Sequence, residues 1–287
     1  MLKQRVITAI VLLAVLLAAV SASSPWPLMF IVVIASACGL WEWLRLVWPT
    51  QFAVRGPILV AILTGLSMAA LTAQWLSLAA STFSLELFGF FTDALIPLVS
   101  LIWILGASVS VIRGNATASS SSWLLSAFAL LAVIAVWFSI TRLYLEHGAW
   151  FVVSLMALIW AADIAAYFCG KAFGRHKLAP RVSPGKTWEG ALGGVFAAVV
   201  WVLVSAQWPG SFGAHLKAHF PLGILIPLVA LLAALSIIGD LFESLLKRRA
   251  GVKDSSHLLP GHGGVFDRID ALLPVAPIAL LLSGASS

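Results

Sequence analysis

Long apolar runs separated by short polar stretches fill most of the chain. A helix needs roughly 17–25 residues to cross the hydrocarbon core of a bilayer, and about nine runs reach that length. We place these spans at about 6–22, 26–46, 57–77, 94–112, 123–144, 149–169, 190–208, 221–243 and 268–284. The stretch 82–93 is ambiguous because it contains Glu86 and Asp93, so it could be interfacial or re-entrant. Pro274 and Pro277 predict a kink in the last span.

The distribution of basic residues predicts the orientation of these spans. Lys and Arg concentrate in the cytoplasmic loops of membrane proteins. With a cytoplasmic N-terminus, only Arg142 and Lys217 of the 17 basic residues fall on the outer side. This asymmetry favours nine spans and an outer C-terminus, and it places both large polar loops, 170–189 and 244–268, in the cytoplasm.

The composition excludes a soluble protein. Hydrophobic residues make up 61% of the chain and charged residues 10%, with a mean hydropathy of +1.05. Soluble domains carry about 25% charged residues, so we predict an all-α, polytopic integral membrane protein. The sequence pI near 9.8 does not indicate nucleic-acid binding, because the basic residues lie at span ends. Cys38 and Cys169 provide neither a disulfide framework nor a zinc spacing.

Acidic residues are distributed unevenly along the chain. Most of the 11 lie from residue 163 onward, in or near the predicted cytoplasmic end of a span. We therefore predict that residues 1–145 form N-terminal scaffold helices and that residues 146–287 form the catalytic region.

Two carboxylates of that region lie within predicted spans. Asp163 or Asp240 would cost at least about 2.5–3.5 kcal/mol near the bilayer centre, and less near a span end. Asp240 and Glu243 are three residues apart and share one helical face. Glu243 can also reach Lys247 at i+4, so an ordinary ion pair at the helix end remains the alternative for this residue.

A glycine-rich turn, residues 260–264, precedes a second pair of acidic residues. Asp267 and Asp270 are also three apart, and would face one locus if this stretch is helical. The alternative is a helix N-terminus, where acidic residues are favoured. Glycines allow backbone N–H groups to approach a phosphate closely, so the turn is a candidate phosphate site.

The loop 170–189 contains Gly185-Lys186-Thr187, as a P-loop does. The preceding glycine spacing and the flanking strand are missing, so we reject an NTPase P-loop. Together, the two loops supply the residue types of metal-assisted phosphoryl or nucleotidyl transfer. Carboxylates hold Mg²⁺, and Lys and Arg neutralise charge on the transferring and leaving groups.

The stretch 244–270, SLLKRRAGVKDSSHLLPGHGGVFDRID, resembles the signature of the phosphatidate cytidylyltransferase (CDP-diacylglycerol synthase) family. We call it the signature segment. Residues 183–190, SPGKTWEG, are similar to that family too. The resemblance implies transfer from CTP to phosphatidic acid, giving CDP-diacylglycerol and pyrophosphate with Mg²⁺. It also implies an all-helical homodimer with its active site open to the cytoplasm. A short chain with compact loops suits a bacterial inner membrane.

The resemblance assigns roles residue by residue. Implied catalytic residues are Asp240, Asp267, Lys253, Arg268 and His262. Implied substrate-binding residues are Ser183, Lys186, Glu189, Lys247, Arg248, Gly263 and Gly264. Implied metal ligands are Asp240 and Asp267, with Asp163, Asp254 and Asp270 as further partners. The number of metals stays open, including whether a second cation joins Mg²⁺.

The residues also indicate a mechanism, because no Ser/His/Asp or Cys/His nucleophile constellation stands out. A phosphomonoester has a second pKa near about 6 and is largely dianionic at neutral pH, so it needs no general base. We therefore predict in-line attack of the lipid phosphate on the α-phosphorus of CTP, without a covalent enzyme intermediate.

Two other functions remain as alternatives. A CTP-dependent lipid-alcohol kinase could use similar carboxylates and basic loops, and it would release CDP instead of pyrophosphate. A transporter of an anionic solute or of Mg²⁺ would place its polar groups near the midplane, often between repeated halves. Here the charges gather on one predicted face, which favours the transferase.

Overall fold

The computed structural model describes residues 2–48, 55–77, 80–119, 121–261 and 263–284. Most of the described chain is helical. The helices are α1 (Leu2–Ser21), α2 (Trp26–Val47), α3 (Arg55–Leu76), α4 (Thr82–Arg113), α5 (Trp123–His147), α6 (Ala149–Phe173), α7 (Trp188–Ser205), α8 (Phe212–His219), α9 (Leu222–Arg249), α10 (Phe266–Ile269) and α11 (Leu272–Leu282). Strands β1 (Lys177–Ala179) and β2 (Ser183–Thr187) form an antiparallel hairpin within the loop predicted over 170–189.

Seven of the described helices, α2 to α7 and α9, are long and apolar enough to cross a membrane. Helices dominate because the hydrocarbon core offers no water to the backbone, so every N–H and C=O must be paired within its own segment. The prediction of an all-α, polytopic membrane protein is confirmed. Helices α1 and α11 coincide with the first and last predicted spans, but the count of nine and the orientation of the N-terminus stay predictions.

The ambiguous stretch 82–93 forms the first part of α4. Helix α4 continues through two π-helical segments, Phe91–Leu95 and Ile102–Ala107, without a break. The backbone N–H of Ser84 donates to the Ser81 hydroxyl and so caps the start of the helix. This stretch is therefore part of one long helix, rather than an interfacial or re-entrant piece.

The chain divides into two compact units according to its internal contacts. The first unit comprises Met1–Leu95, Thr117–Thr141 and Leu246–Ile269. The second unit comprises Ile96–Ala116, Arg142–Leu245 and Asp270–Ser287. The proposed functional division into residues 1–145 and 146–287 stays a prediction.

Aromatic packing holds the first unit together. The Trp75 and Trp137 rings stack with their centroids 5.2 Å apart, and the Trp137 indole N–H donates to the Thr72 hydroxyl at 3.2 Å. The Trp43 ring of α2 stacks on Phe266 of α10 with a centroid distance of 5.0 Å. This second stack packs the end of the signature segment against α2.

Small residues bring α6 and α7 of the second unit together. A Cβ atom added at Gly190 would lie 2.8 Å from the carbonyl oxygen of Ala166, and one at Gly194 would lie 2.8 Å from that of Ala162. Glycines four residues apart on one face allow two membrane helices to approach this closely. The start of α7 therefore lies against α6, the helix that carries Asp163.

Candidate active site

Three carboxylates converge in the second unit. Asp240 and Glu243 lie on α9, and Asp270 lies between α10 and α11. Oxygen atoms from the three side chains are all within 4.8 Å of one another. Glu243 is 2% exposed and Asp270 is 9% exposed. The structure thus brings two predicted metal ligands together with Glu243, in a set of oxygen donors that suits a hard divalent cation.

Close backbone packing positions Asp270 beside α9. A Cβ atom added at Gly239 would overlap the carbonyl oxygen of Asp270 and lie 3.1 Å from the Cδ of Pro274. Two carboxylates as close as those of Asp240 and Asp270 repel each other when both are ionised, and a bound divalent cation would offset that repulsion.

A lysine completes the carboxylate cluster. The Lys186 ammonium of β2 lies 2.6 Å from Asp240 Oδ2, and this ion pair is partly exposed. Asp163 of α6 is exposed and interacts electrostatically with both Lys186 and Asp240. The hairpin predicted only as a polar loop therefore has a structural role, since it holds Lys186 against the metal-binding candidates.

The other hairpin residues have different positions. Ser183 pairs with Ala179 across the two strands. Glu189, in the first turn of α7, lies 2.6 Å from the imidazole Nδ1 of His176 and accepts a hydrogen bond from the His176 backbone N–H at 3.2 Å. Glu189 therefore fixes the segment between α6 and β1.

In the first unit, Asp267 holds the signature segment in a closed loop. The Lys247 ammonium lies 2.5 Å from Asp267 Oδ1. Asp267 Oδ2 accepts hydrogen bonds from the Ser255 hydroxyl at 2.7 Å, from the Ser255 N–H at 3.1 Å and from the Gly264 N–H at 2.8 Å. These bonds connect Ser255 and Gly264 to the first turn of α10, where Asp267 lies.

Glu42 of α2, which was not predicted as a site residue, also binds this loop. Its fully buried carboxylate accepts a hydrogen bond from the Ser256 hydroxyl at 2.5 Å, and its Oε2 atom lies 2.9 Å from the Ser255 hydroxyl oxygen. It also accepts from the backbone N–H groups of Val265 and Phe266 at 3.0 and 2.6 Å. The signal was present in the sequence, because a carboxylate in an apolar span is costly unless it has partners.

A polar pocket of about 410 Å³ lies beside the same loop. Lys253 and Asp254, two predicted site residues, line it together with His257 and with Arg45 of α2. The Arg45 guanidinium lies 4.7 Å from the centroid of the Trp41 ring. Arg45 was not among the site residues predicted from the sequence, so the pocket adds a candidate anion-binding residue.

The remaining predicted residues belong to the same segment. Arg248 is in the last turn of α9, and Arg268 is in α10. Gly263 has a φ of +80° and forms an isolated bridge with Leu259, so the turn requires glycine there. His262 lies outside the described residues.

Comparison with known proteins adds an independent finding. A sequence model described as the cytidylyltransferase family matches residues 3–285. The phosphatidate cytidylyltransferase of Pseudomonas aeruginosa is 39% identical over 295 residues, which cover 100% of this chain and 98% of the relative. That of Haemophilus influenzae is 36% identical over 296 residues, covering 96% of each chain. The phosphatidate cytidylyltransferase of Thermotoga maritima is 39% identical over 140 residues, which cover 49% of this chain and 51% of that relative.

Proposed function

The chain belongs to the cytidylyltransferase family, and we propose that it transfers the cytidylyl group of CTP to phosphatidic acid, giving CDP-diacylglycerol and pyrophosphate. The observation that supports this most directly is the convergence of Asp240, Glu243 and Asp270 beside Lys186 in a membrane protein. Two relatives that match over their full length are phosphatidate cytidylyltransferases. Together with this arrangement of carboxylates and lysine, they favour transfer of a phosphate group to a charged lipid over transport of a solute.

We propose Mg²⁺ as the cofactor. Asp240, Glu243 and Asp270 would hold it, with Asp163 nearby, because these oxygen donors match the preference of a hard cation. When bound, Mg²⁺ neutralises charge on phosphate oxygens and makes pyrophosphate a better leaving group. The metal-ligand roles of Asp254 and Asp267 stay predictions, as does a second cation.

The chain's own residues have separate tasks in this proposal. Lys186 would reduce the repulsion between the two anionic substrates, since its ammonium is already at the carboxylate cluster. In the first unit, Lys253 and Arg45 would bind phosphate oxygens in the polar pocket. Asp267 and Glu42 would keep the backbone of that loop in shape. We keep Ser183, Glu189, Lys247, Arg248, Gly263, Gly264, Arg268 and His262 as predicted contributors to substrate binding or catalysis.

The reaction itself needs no protein nucleophile. An oxygen of the lipid phosphate attacks the α-phosphorus of CTP, the bond from that phosphorus to the bridging oxygen breaks, and pyrophosphate leaves with the electron pair. The attacking oxygen carries no proton to remove, because the phosphomonoester is largely dianionic at neutral pH. Isolation of a cytidylyl-enzyme would contradict this mechanism.

The described helices make the chain an integral membrane protein. We propose the cytoplasmic membrane of a bacterium, with the site facing the cytoplasm, because the basic residues are asymmetric and the relatives cited are bacterial. The lipid headgroup and water-soluble CTP can meet at that interface. A homodimer is also proposed, on the resemblance alone, and mass measurement of the solubilised protein tests it.

The decisive test uses detergent-purified protein, phosphatidic acid, radiolabelled CTP and Mg²⁺. We expect labelled lipid and equimolar pyrophosphate, both lost on chelation and reduced about 100-fold or more in Asp240→Asn. Glu86→Gln is the matched control, because Glu86 is an exposed carboxylate of a membrane helix and is not a member of the cluster. Release of CDP with a lipid-alcohol acceptor would instead support the kinase, and inactivity of folded protein with both acceptors would support a transporter.

A further inference from the structure

An apolar groove of about 600 Å³ opens on the second unit. Its walls come from the end of α4, the β1–β2 hairpin, α7 and α9. The volume is within the roughly 300–1,000 Å³ of pockets that hold small ligands. Two of its lining side chains, Trp188 and Leu192, are 55% and 67% exposed. Both residues belong to α7, which is long and apolar enough to cross a membrane. Exposed apolar side chains on such a helix face lipid, so we infer that the groove is open to the bilayer along α7.

Two arginines interrupt the apolar lining. Arg113 is the last residue of α4, and Arg181 lies in the turn between β1 and β2; both are exposed. Within the described residues, neither arginine forms an ion pair. Arg113 ends a helix that is long and apolar enough to cross a membrane, and phospholipid headgroups lie at the ends of such helices. The groove thus combines an apolar lining with two cations, which matches the apolar chains and the anionic headgroup of a phospholipid.

The groove shares its walls with the carboxylate cluster. Ile237 and Leu241 of α9 line it, and Asp240 lies between them in sequence, one helical turn after Ile237. Leu178 of β1 also lines the groove, and it belongs to the hairpin that holds Lys186 against Asp240. A lipid in the groove would therefore have its headgroup next to the residues proposed for chemistry.

We propose that this groove binds the phosphatidic acid substrate, with an acyl chain against α7 and α9 and with Arg113 and Arg181 beside the phosphate. The inference rests on the proposed function and adds to it the site where the lipid binds. The arginines supply charge complementarity, since guanidinium groups pair well with phosphate oxygens. They contact the lipid and not the nucleotide, so their loss affects lipid binding selectively.

The first test is kinetic, with phosphatidic acid varied as a mole fraction in mixed micelles. We expect Arg113→Gln/Arg181→Gln to raise the KM for phosphatidic acid about three- to tenfold while the KM for CTP stays within about twofold. Arg55→Gln is the matched control, because Arg55 is also an exposed arginine at a span end. A double variant with the wild-type KM for phosphatidic acid would overturn the proposal.

A second test needs no turnover. The wild-type protein is irradiated in nanodiscs with phosphatidic acid that carries a diazirine in one acyl chain, and the adducts are mapped by mass spectrometry. We expect adducts at Leu192 and Ile238, reduced in the double arginine variant. Adducts located elsewhere, or equal labelling at Leu192 and Ile238 by the phosphatidylcholine analogue, would overturn the groove assignment.

The two failures are distinguishable. If wild type makes no labelled CDP-lipid, the proposed function fails. If it makes the product but the arginine variant has the wild-type KM or the adducts lie elsewhere, only the groove assignment fails.

Discussion

The carboxylate of Glu42 accepts a hydrogen bond from the Ser256 hydroxyl at 2.5 Å, although 214 positions separate the two residues in the chain. The other Glu42 oxygen accepts from the backbone N–H of Phe266 at 2.6 Å. One buried side chain of α2 thus fixes both the middle and the end of the signature segment. The shape of this loop depends on a residue that is distant from it in sequence.

We expect Glu42→Gln to destabilise the protein and to lower its activity. Each Glu42 oxygen accepts a hydrogen bond from a backbone N–H group, which can only donate. Val265 donates to Oε1, and Phe266 donates to Oε2. The amide NH₂ of glutamine would face one of these N–H groups, and leaving a buried donor unpaired costs about 1–3 kcal/mol. Thermal unfolding in detergent should show a Tm lower by several degrees, with reduced transfer activity.

Two further variants make this prediction specific. Ser256→Ala should have a smaller effect, because Val265 still donates to the same Glu42 oxygen. Glu86→Gln is the control for removing a carboxylate from a membrane helix, and its Tm should be unchanged. An unchanged Tm in Glu42→Gln would show that the network does not stabilise the loop.

Sequence patterns were sufficient to predict most of the fold. Apolar runs placed the long helices, because a bilayer permits only helices with internally paired backbones. The charged residues Glu86 and Asp93 obscured the start of α4, since hydropathy does not reveal that a helix continues through π turns. The hairpin that presents Lys186 is too short to produce a strand pattern.

The site was predicted in part. The i,i+3 spacing indicated that Asp240 and Glu243 share a face, and the structure adds Asp270 to them. The contacts of Glu42 could not be predicted, because a single sequence contains no information on pairs far apart in the chain. Likewise, the groove arises from packing of α4, the hairpin, α7 and α9, and no local motif encodes it.

Lys186→Gln should lower the transfer rate about 10–100-fold and, at the same time, lower the Mg²⁺ concentration needed for half-maximal activity. The rate falls because a cation near the reacting phosphates is lost. The Mg²⁺ requirement falls because the ammonium 2.6 Å from Asp240 no longer competes for that carboxylate. Titration of the initial rate with Mg²⁺ measures both effects.

Lys217→Gln serves as the control, because Lys217 is an exposed lysine of α8. A higher Mg²⁺ requirement in Lys186→Gln would refute this interpretation.

The stability losses caused by substituting Lys247 and Asp267 should not be additive. Both side chains are largely buried and 2.5 Å apart, so removing either partner takes a close ionic contact from the other. We expect Lys247→Met and Asp267→Asn each to lower the Tm, and the double variant to be no less stable than the worse single variant. The Tm values of the four proteins test this. Additive losses would mean that the two residues stabilise the protein independently.

Gly239→Ala should disrupt the carboxylate cluster without removing any of its ligands. The added Cβ would overlap the carbonyl oxygen of Asp270, so α9 and the segment around Asp270 would have to separate. We expect a lower Tm, a transfer rate at least about tenfold lower, and weaker apparent Mg²⁺ affinity, because the three carboxylates would no longer converge. Gly223→Ala, in the same helix, has no neighbour within 4 Å of the added Cβ and should retain wild-type activity. Equal activity and Mg²⁺ affinity in the two variants would mean that the approach of Asp270 to α9 is not needed for the reaction.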